Sequence, residues 1–438
     1  MTLTTPITVV RGRFLDIQKT VSQAQDIIDQ VRYLEDGVLI TEQGKIRWFG
    51  SWDDAQAHLP ANVEIQHYPE QLIIPGMIDT HIHFPQTEMV GAYGEQLLSW
   101  LNTYTFPTEI QFQDPSYAQK IAEFFIQELL KNGTTTALVF CTVHPESVDA
   151  LFEAAAQQQM RLIAGKVMMD RHAPEALCDT AESAYEDSKA LIGKWHGQGR
   201  ALYAITPRFA PTSTPEQLER AGQLKAEFPD VYVHTHLSEN KDEIAWVKDL
   251  FPEQKGYLDV YHHYGLTGNR SVFAHCVHLE DAEWQCMHET DSAIAFCPTS
   301  NLFLGSGLFP LKKTWQQQVK VGLGTDIGAG TSFSLLQTVN EAYKVQQLQG
   351  DKLSAFESLY HATLGGAKAL DLDNKLGNFN VGKEADFVVL NLKPTALQQL
   401  RQSRSKSIED SLFALFTMGD DRNIEATYIY GQKAYNQS

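Results

Sequence analysis

Eight short β-rich segments, separated by longer stretches with helical periodicity, constrain the fold of this chain more than any other feature of its sequence. In chain order the segments read IIPGMIDTHIH, TTTALVF, LIAGKVMM, LYAITPR, VYVHTH, SVFAH, SAIAFCP and VKVGLGTD. Between them, stretches such as SYAQKIAEFFIQELLKNG repeat apolar residues every three or four positions, as amphipathic helices do. Strands that alternate with helices in this way predict an α/β fold, a (β/α)8 TIM-like barrel.

The residues on either side of the barrel segments read as strands and turns. Residues 7–50 contain alternating runs around EQGK, which is a hairpin signal, and after about residue 376 strand patterns return without helices. Each set is small for an independent core, so the simplest assembly joins them in one small β-sandwich domain. We predict its two parts at 1–73 and 377–438, with the metal-binding barrel at 74–376 and a surface connection at QLRQSRSKSIEDS.

Charge and cysteine content exclude several classes of function. The formal charge of −19 opposes binding to phosphate backbones and anionic membranes, so neither nucleic acid nor a membrane is an expected partner, and a neutral small molecule is. The five cysteines form no C-x-x-C pair, which is typical of reduced thiols in a cytoplasmic protein. The first residues lack the pattern of a secretory signal, and a cytoplasmic location is the expectation.

The first barrel segment ends with His81 and His83, which are two residues apart. On a strand such residues project to the same face, so the two imidazoles can form half of a metal site. An isolated H-x-H is more often an ordinary hydrogen-bonded pair. The prediction of a metal site therefore depends on whether the other strands contribute further ligand residues.

Other ionisable residues fall at the ends of three more segments, where the active sites of such barrels are assembled. They are His234, His236 and Glu239 around the fifth segment, His275 in the sixth and Asp326 in the eighth. A zinc site with one position left for water uses about four protein groups or fewer. His81, His83, His236 and Asp326 would complete such a set.

The remaining residues of this group are expected to act around the metal. Asp326 could also accept a hydrogen bond from the reacting water, and His275 would lie beside that water and polarise it. Glu239, three residues after His236, would carry protons, although a solvated residue in the first helical turn is the ordinary interpretation of such a glutamate. His234 is expected deeper in the barrel, whereas His262, His263 and His278 are expected at the surface.

Several motifs, taken in order, resemble the metal-dependent amidohydrolases and, within them, the guanine deaminases. The wider resemblance is carried by PGMIDTHIH, HLSE, AHC, GTD and GKEADFVVL, and the narrower one by HIHFPQ, TPRFAP, THLSEN, FCPTSN and GTDIGAG. The resemblance extends over essentially the whole chain. It implies a homodimeric enzyme with one zinc per chain that hydrolyses guanine to xanthine and ammonia.

The same resemblance implies roles for individual residues. Zinc ligands match His81, His83, His236 and Asp326, and the proton-shuttling glutamate matches Glu239. Substrate contacts match Gln86, Arg208, Phe209 and the segment from His236 to Glu239, with Asp326 at the reacting centre.

One departure from the wider superfamily favours a single metal. Members with two metals usually carry a bridging lysine at the end of strand four, where this sequence reads AITPRFAP. Lys166 lies on strand three and is a weak substitute.

Arg208 offers only donors, which match the O6 carbonyl of guanine and oppose the exocyclic amine of adenine. A salt bridge at the barrel mouth is the alternative interpretation of this arginine. Gln86 carries both a donor and an acceptor, Phe209 could stack on the ring, and residues 86–110 are a candidate lid. Two rival functions stay open from the sequence: an aminohydrolase or chlorohydrolase for triazines, pterins or modified guanines, and a scaffold without activity.

Overall fold

Each of the eight predicted segments forms a strand in the computed structural model, which describes residues 7–93 and 97–437. The strands over these residues are β1 Thr8–Ile17, β2 Val31–Glu42, β3 Lys45–Ser51, β4 Ile65–Pro75, β5 Met77–His83, β6 Thr134–Phe140, β7 Arg161–Gly165, β8 Val167–Met168, β9 Ala201–Pro207, β10 Tyr232–Leu237, β11 Ser271–His275, β12 Ala293–Phe296, β13 Lys320–Leu323, β14 Phe387–Leu390, β15 Ile424–Ile429 and β16 Gln432–Asn436.

The strands from β5 to β13 form a parallel barrel in the order β5-β6-β7-β9-β10-β11-β12-β13, with β8 pairing beside β9. The ring closes between its first and last strands through side-chain and main-chain bonds: Thr80 Oγ1 donates to Leu323 O at 2.9 Å, and Asp326 N donates to His81 O at 2.9 Å. These bonds fix the segment that follows β13 against the end of β5. The predicted (β/α)8 fold is therefore confirmed.

Most of the helices surround the barrel and bury apolar residues around it, while the first helix in the chain packs beside the N-terminal strands β2 and β3. Their bounds are α1 Trp52–Ala55, α2 Leu97–Trp100, α3 Phe106–Glu109, α4 Pro115–Lys131, α5 Pro145–Gln157, α6 Ala181–Trp195, α7 Pro215–Glu227, α8 Lys241–Leu250, α9 Tyr257–His263, α10 Asp281–Glu289, α11 Pro298–Phe303, α12 Leu311–Gln317, α13 Leu335–Leu348, α14 Ala355–Ala362, α15 Leu364–Ala369, α16 Ala396–Gln402 and α17 Ile408–Met418. None of the helices in the described part of the chain is long and apolar enough to cross a membrane.

The N- and C-terminal segments pair in one mixed sheet, in the order β16-β15-β14-β4-β1-β2-β3. The chain passes from this sheet into the barrel at Gly76, where a Cβ atom would lie 2.0 Å from Thr135 Oγ1, so only glycine fits between β4 and β5. Arg161 and Arg200 of the barrel form buried ion pairs with Glu384, which precedes β14. The predicted joining of the two chain ends is confirmed, while the boundaries at 73 and 376 stay predictions.

The expectation that no helix follows residue 376 was wrong. The segment QLRQSRSKSIEDS, predicted as a surface connection, includes the end of α16 and the start of α17. Helix α17 packs on the barrel helix α13, with the rings of Phe413 and Tyr343 5.0 Å apart. Its apolar residues Leu412, Leu415 and Phe416 are buried at helical spacing, and this spacing was the available signal.

Candidate active site

The strand ends at one mouth of the barrel bring the predicted ionisable residues together. His81 and His83 end β5, His236 lies near the end of β10, and His275 ends β11. Asp326 follows β13 by three residues. Because parallel strands of a barrel end at one face, residues separated by 245 positions in the sequence, from 81 to 326, meet there.

The ligand atoms of these residues converge on one point. His81 Nε2 lies 3.1 Å and His83 Nε2 3.4 Å from Asp326 Oδ1, and the Nε2 atoms of His83 and His236 are 3.2 Å apart. Two overlapping groups have ligand atoms within 4.8 Å of one another: His81, His83 and His236, and His81, His275 and Asp326. The predicted ligand set is thus assembled, and His275 lies close enough to join it.

The donor atoms of this cluster fit a metal ion such as zinc. His81 Nε2 is buried and, although it lies 3.1 Å from Asp326 Oδ1, makes no hydrogen bond of suitable geometry within the described part of the chain, which is unfavourable unless a ligand occupies it. Two Nδ1 atoms have partners: His236 Nδ1 lies 2.7 Å from Arg208 O, and His81 Nδ1 lies 2.8 Å from His234 Nε2, whereas His83 Nδ1 has no partner among the described residues. A proton on Nδ1 leaves Nε2 as the lone-pair donor that a metal requires.

Burial keeps the imidazoles in their neutral, ligating form. It lowers the pKa of His81, His83, His234 and His236 well below the usual value, and repulsion by nearby cationic groups, namely Arg208 for His81 and His83 and protonated His275 for His81, His234 and His236, adds to the effect. His234, expected deeper in the barrel, is fully buried and acts as the hydrogen-bond partner of His81.

Glu239 lies beside the cluster and contacts groups that tune its proton affinity. The pKa of its carboxyl is raised overall, mainly by burial and also by the charge of Asp326. Two contacts oppose this shift and lower the pKa: His275, 3.5 Å away, and the hydrogen bond from Ser306 Oγ at 3.1 Å. Burial also raises the pKa of Asp326. A carboxyl with a raised pKa accepts a proton more readily than an exposed carboxyl does, which is the first requirement for a group that transfers protons.

For His275, neighbouring charges outweigh burial in setting the direction of the pKa shift. Burial alone lowers its pKa, but the carboxylates of Glu239 and Asp326 outweigh this and raise it. Its Nδ1 lies 2.9 Å from Asn301 Oδ1, so a proton there is donated to the amide oxygen of the FCPTSN motif. The ring therefore has one fixed nitrogen and one nitrogen that faces the two carboxylates.

The backbone at the site is strained at several non-glycine residues. Ser238, His275, Cys276 and Asp326 have φ angles of 50°, 71°, 52° and 53°, in the left-handed region. Such conformations are unfavourable for residues with a Cβ atom and occur most often at functional sites.

A small pocket opens beside the cluster, and the residues predicted to contact the substrate also line it. Gln86, Arg208 and Phe209 line it together with His83, His236, Glu239, Glu243, His275, Leu304, Asp326 and Ala329. The predicted lid segment 86–110 adds Trp100 and Leu101 to the lining, while its residues 94–96 lie outside the described part of the chain.

Two buried glutamates in this region were not predicted from the sequence. Glu109 pairs with Arg208, its Oε2 lying 2.7 Å from Nη1, so the alternative interpretation of Arg208 as a salt-bridge residue also holds. Glu243 lines the pocket and accepts from the backbone N of Glu239 at 3.0 Å and from the Tyr257 hydroxyl at 2.7 Å. Glu109 belongs to no motif that marks it in the sequence, whereas Glu243 stands three residues after Asn240, the spacing of a capping box, which was the available signal.

The other histidines and Lys166 lie away from the cluster or are paired. His262 and His263 are exposed as expected, whereas His278 is half-buried, with Nε2 2.7 Å from Ser306 O. Lys166 is fully buried, and its ammonium lies 2.5 Å from Asp179 Oδ2. This ion pair leaves no free lysine there to bridge two metals.

Comparison with known proteins places this chain among well-described relatives. The amidohydrolase family profile matches residues 72–434. Guanine deaminase of Escherichia coli (strain K12) is 62% identical over 429 residues, which cover 98% of each chain. The solved structure of E. coli guanine deaminase has a TM-score of 0.97 at 60% identity, covering 99% of this chain and 100% of that one. A guanine deaminase from C. acetobutylicum with bound guanine has a TM-score of 0.88 at 31% identity, covering 98% and 100%.

Proposed function

This chain belongs to the amidohydrolase family and, within it, to the guanine deaminases, and from that premise we propose that it hydrolyses guanine to xanthine and ammonia at the cluster described above. One observation carries the proposal: a single pocket is lined both by members of the buried histidine and aspartate cluster and by Arg208 and Gln86. The cluster fits a hydrolytic metal, and Arg208 and Gln86 fit the polar edge of a purine.

His81, His83, His236 and Asp326 are the proposed ligands of one zinc ion per chain. Three imidazole nitrogens and one carboxylate oxygen are a donor set that zinc prefers, and the fixed Nδ1 atoms of His81 and His236 support it. When bound, zinc supplies Lewis acidity that makes a water molecule a stronger nucleophile near neutral pH. The Lys166–Asp179 ion pair supports one metal rather than two.

Glu239 is the proposed carrier of the two protons that the reaction moves. It takes a proton from the attacking water and gives it to N3 of guanine as a tetrahedral centre forms at C2. The second proton goes by the same carboxylate to the departing amine, which leaves as ammonia. His275 lies 3.5 Å from Glu239 and 3.8 Å from Asp326 Oδ2, so it can hold the water between these two carboxylates.

Arg208 and Gln86 are the proposed recognition residues. The guanidinium donates to O6 of guanine and would face a donor in adenine, where an unpaired buried group costs about 1 to 3 kcal/mol or more. The Gln86 amide carries donors and an acceptor for a mixed edge. Phe209 is buried beside the pocket and offers an apolar surface to the ring.

A homodimer and a cytoplasmic location are part of the same proposal. The homodimer is carried over from the resemblance to the family, and sedimentation of the purified protein would test it. The five free thiols support a reducing compartment.

One assay on the purified protein tests the function, the substrate and the metal together. Elemental analysis measures zinc per chain, and ultraviolet absorbance follows the loss of guanine and the appearance of xanthine. We expect about one zinc per chain and rapid turnover that a chelator abolishes. Bound zinc without turnover of guanine would contradict the proposed substrate and favour the rival heterocycles, namely triazines, pterins and modified guanines.

A further inference from the structure

Glu109 is a fully buried carboxylate behind the recognition wall of the pocket. Its Oε2 lies 2.7 Å from Arg208 Nη1 and its Oε1 lies 3.1 Å from Arg208 Nη2, so the two groups form a two-point ion pair. Its Oε1 also accepts from Gln86 Nε2 at 3.2 Å. One carboxylate therefore contacts both residues proposed to recognise the purine.

The helix that carries Glu109 also makes a second contact with the Arg208 side chain. Phe106 and Glu109 stand three residues apart on α3, a spacing that puts both side chains on one face of the helix. The Arg208 guanidinium lies 5.6 Å from the centre of the Phe106 ring, within the range of a cation–π contact. The guanidinium thus contacts both an aromatic ring and a carboxylate of the same helix.

These contacts consume some donors and leave others for a ligand. Arg208 has five N–H groups, of which Glu109 accepts one from each terminal nitrogen. In Gln86, Oε1 accepts from Gly328 N at 3.1 Å, and one amide hydrogen goes to Glu109. The amide orientation and the guanidinium plane are both set before any ligand arrives, which reduces the entropy lost on binding.

We propose that Glu109 is a positioning and specificity-determining residue: it holds Arg208 and Gln86 in place for a neutral purine and cancels the charge of Arg208, so that an anionic purine is not favoured. The inference rests on the proposed function. Xanthine, the proposed product, is a weak acid that loses a proton close to neutral pH, whereas guanine stays neutral there. A pocket wall with an unpaired arginine would retain the xanthine anion, and the carboxylate prevents this.

The test compares Glu109→Gln with the charge-conserving Glu109→Asp in the full-length, metal-loaded protein. The readouts are KM and kcat for guanine, and the ratio of the inhibition constants of xanthine and hypoxanthine at mildly alkaline pH. There xanthine is an anion, while hypoxanthine stays neutral and has the same oxygen at C6. The matched control is Glu384→Gln, the same substitution at a buried carboxylate that is paired with Arg161 and Arg200 away from the pocket.

For Glu109→Gln we expect KM to rise roughly tenfold or more with a smaller change in kcat, since the lost contacts act in the ground state and the transition state alike. The xanthine-to-hypoxanthine ratio should fall roughly tenfold, because the wall gains one net positive charge next to the ligand. Glu109→Asp should raise KM, since its shorter side chain cannot keep all three contacts, and should leave the ratio unchanged. Glu384→Gln should lower the melting temperature only.

An unchanged ratio in Glu109→Gln would overturn the charge argument, and an unchanged KM in Glu109→Asp would overturn the positioning argument. If Glu109→Gln does not fold, the Asp variant still decides, because an altered ratio at conserved charge contradicts the inference. Failure of the proposed function is distinguishable from these outcomes, since the unsubstituted protein would then not convert guanine at all.

Discussion

Glu239 is the residue on which the proposed proton transfers depend. Its carboxylate lies 3.1 Å from the Ser306 hydroxyl and 3.5 Å from His275 Nε2, and the residue is buried. Burial raises the pKa of this carboxyl above the usual value of a glutamate, so it binds a proton more readily than an exposed carboxylate does. This is the property that a group must have if it accepts one proton and then releases it to another atom.

Replacement of this residue gives the sharpest prediction for a single side chain. Glu239→Gln should keep the fold and the bound metal but lower kcat by about 10² to 10⁴-fold, because an amide cannot exchange protons in the way a carboxylate does. The measurement is kcat for guanine together with zinc content by elemental analysis. A variant with full turnover would remove Glu239 from the mechanism, and one that has lost its zinc would indicate a structural role instead.

Sequence patterns identified some site residues and not others, for a physical reason. His81 and His83 were predicted because strand geometry alone puts positions i and i+2 on one face. Glu109 has no such relation: it follows His83 by 26 residues, ends a helix of one turn, and meets Arg208 only through the tertiary fold. The spacing of residues in the sequence predicts only local geometry. Contacts between distant segments cannot be predicted from it unless both segments end at the same face of the barrel.

The connection between β10 and α8 is the element that sets the position of Glu239. Helix α8 begins with a capping box in which Glu243 accepts from the backbone N of Asn240 and Glu239 at 3.1 and 3.0 Å. Its other oxygen accepts from the Tyr257 hydroxyl. A residue just outside the helix is thereby fixed by the helix itself, because its N–H is one of the groups that the cap satisfies.

Weakening this cap should therefore lower turnover. We expect Glu243→Gln to reduce kcat roughly tenfold, as when a hydrogen bond to a charged group is lost, with zinc content unchanged. The control is Glu283→Gln, which alters the equivalent capping box at the start of α10, where Glu283 accepts from Glu280 N at 2.9 Å. Steady-state kinetics of both variants decide the matter, and an equal loss in the two would point to general destabilisation.

The elements themselves were largely predictable, with informative exceptions. The strands were recognisable because short runs of β-branched and apolar residues alternate with longer amphipathic stretches. Helices α16 and α17 were not predicted, because the polar run between them suggested a loop. The π-helical turn Leu101–Thr105 leads into the short helix α3, and neither has enough length to show a periodic pattern.

Across the whole molecule, the proposed metal site joins the two strands that close the barrel. The proposed ligands come from β5, from β10 and from the segment after β13, so a bound ion would connect the start of the barrel to its end. A ligand that binds only the folded state stabilises it by mass action, and the gain is about 4 kcal/mol when the free ligand exceeds its Kd by about 1,000-fold. The free energy of unfolding, like the activity, should therefore fall when the metal is removed.

Metal removal tests this dependence directly. Prolonged chelation should abolish turnover of guanine and lower the melting temperature, and added zinc should restore both, whereas magnesium should not because it prefers oxygen ligands. Differential scanning calorimetry before and after chelation gives the shift. A melting temperature that does not change while zinc is lost would show that the cluster contributes nothing to barrel closure.

Arg208 serves two purposes through chemically separate parts. Its carbonyl oxygen fixes His236 Nδ1 at 2.7 Å, a contact that any amino acid with the same backbone path can make, while its side chain is the part proposed to meet the ligand. Substitutions at this position can alter which heterocycle is accepted and leave the orientation of the neighbouring imidazole intact. Evolution or directed mutagenesis can thus diversify the substrate range of this scaffold without rebuilding its hydrolytic centre.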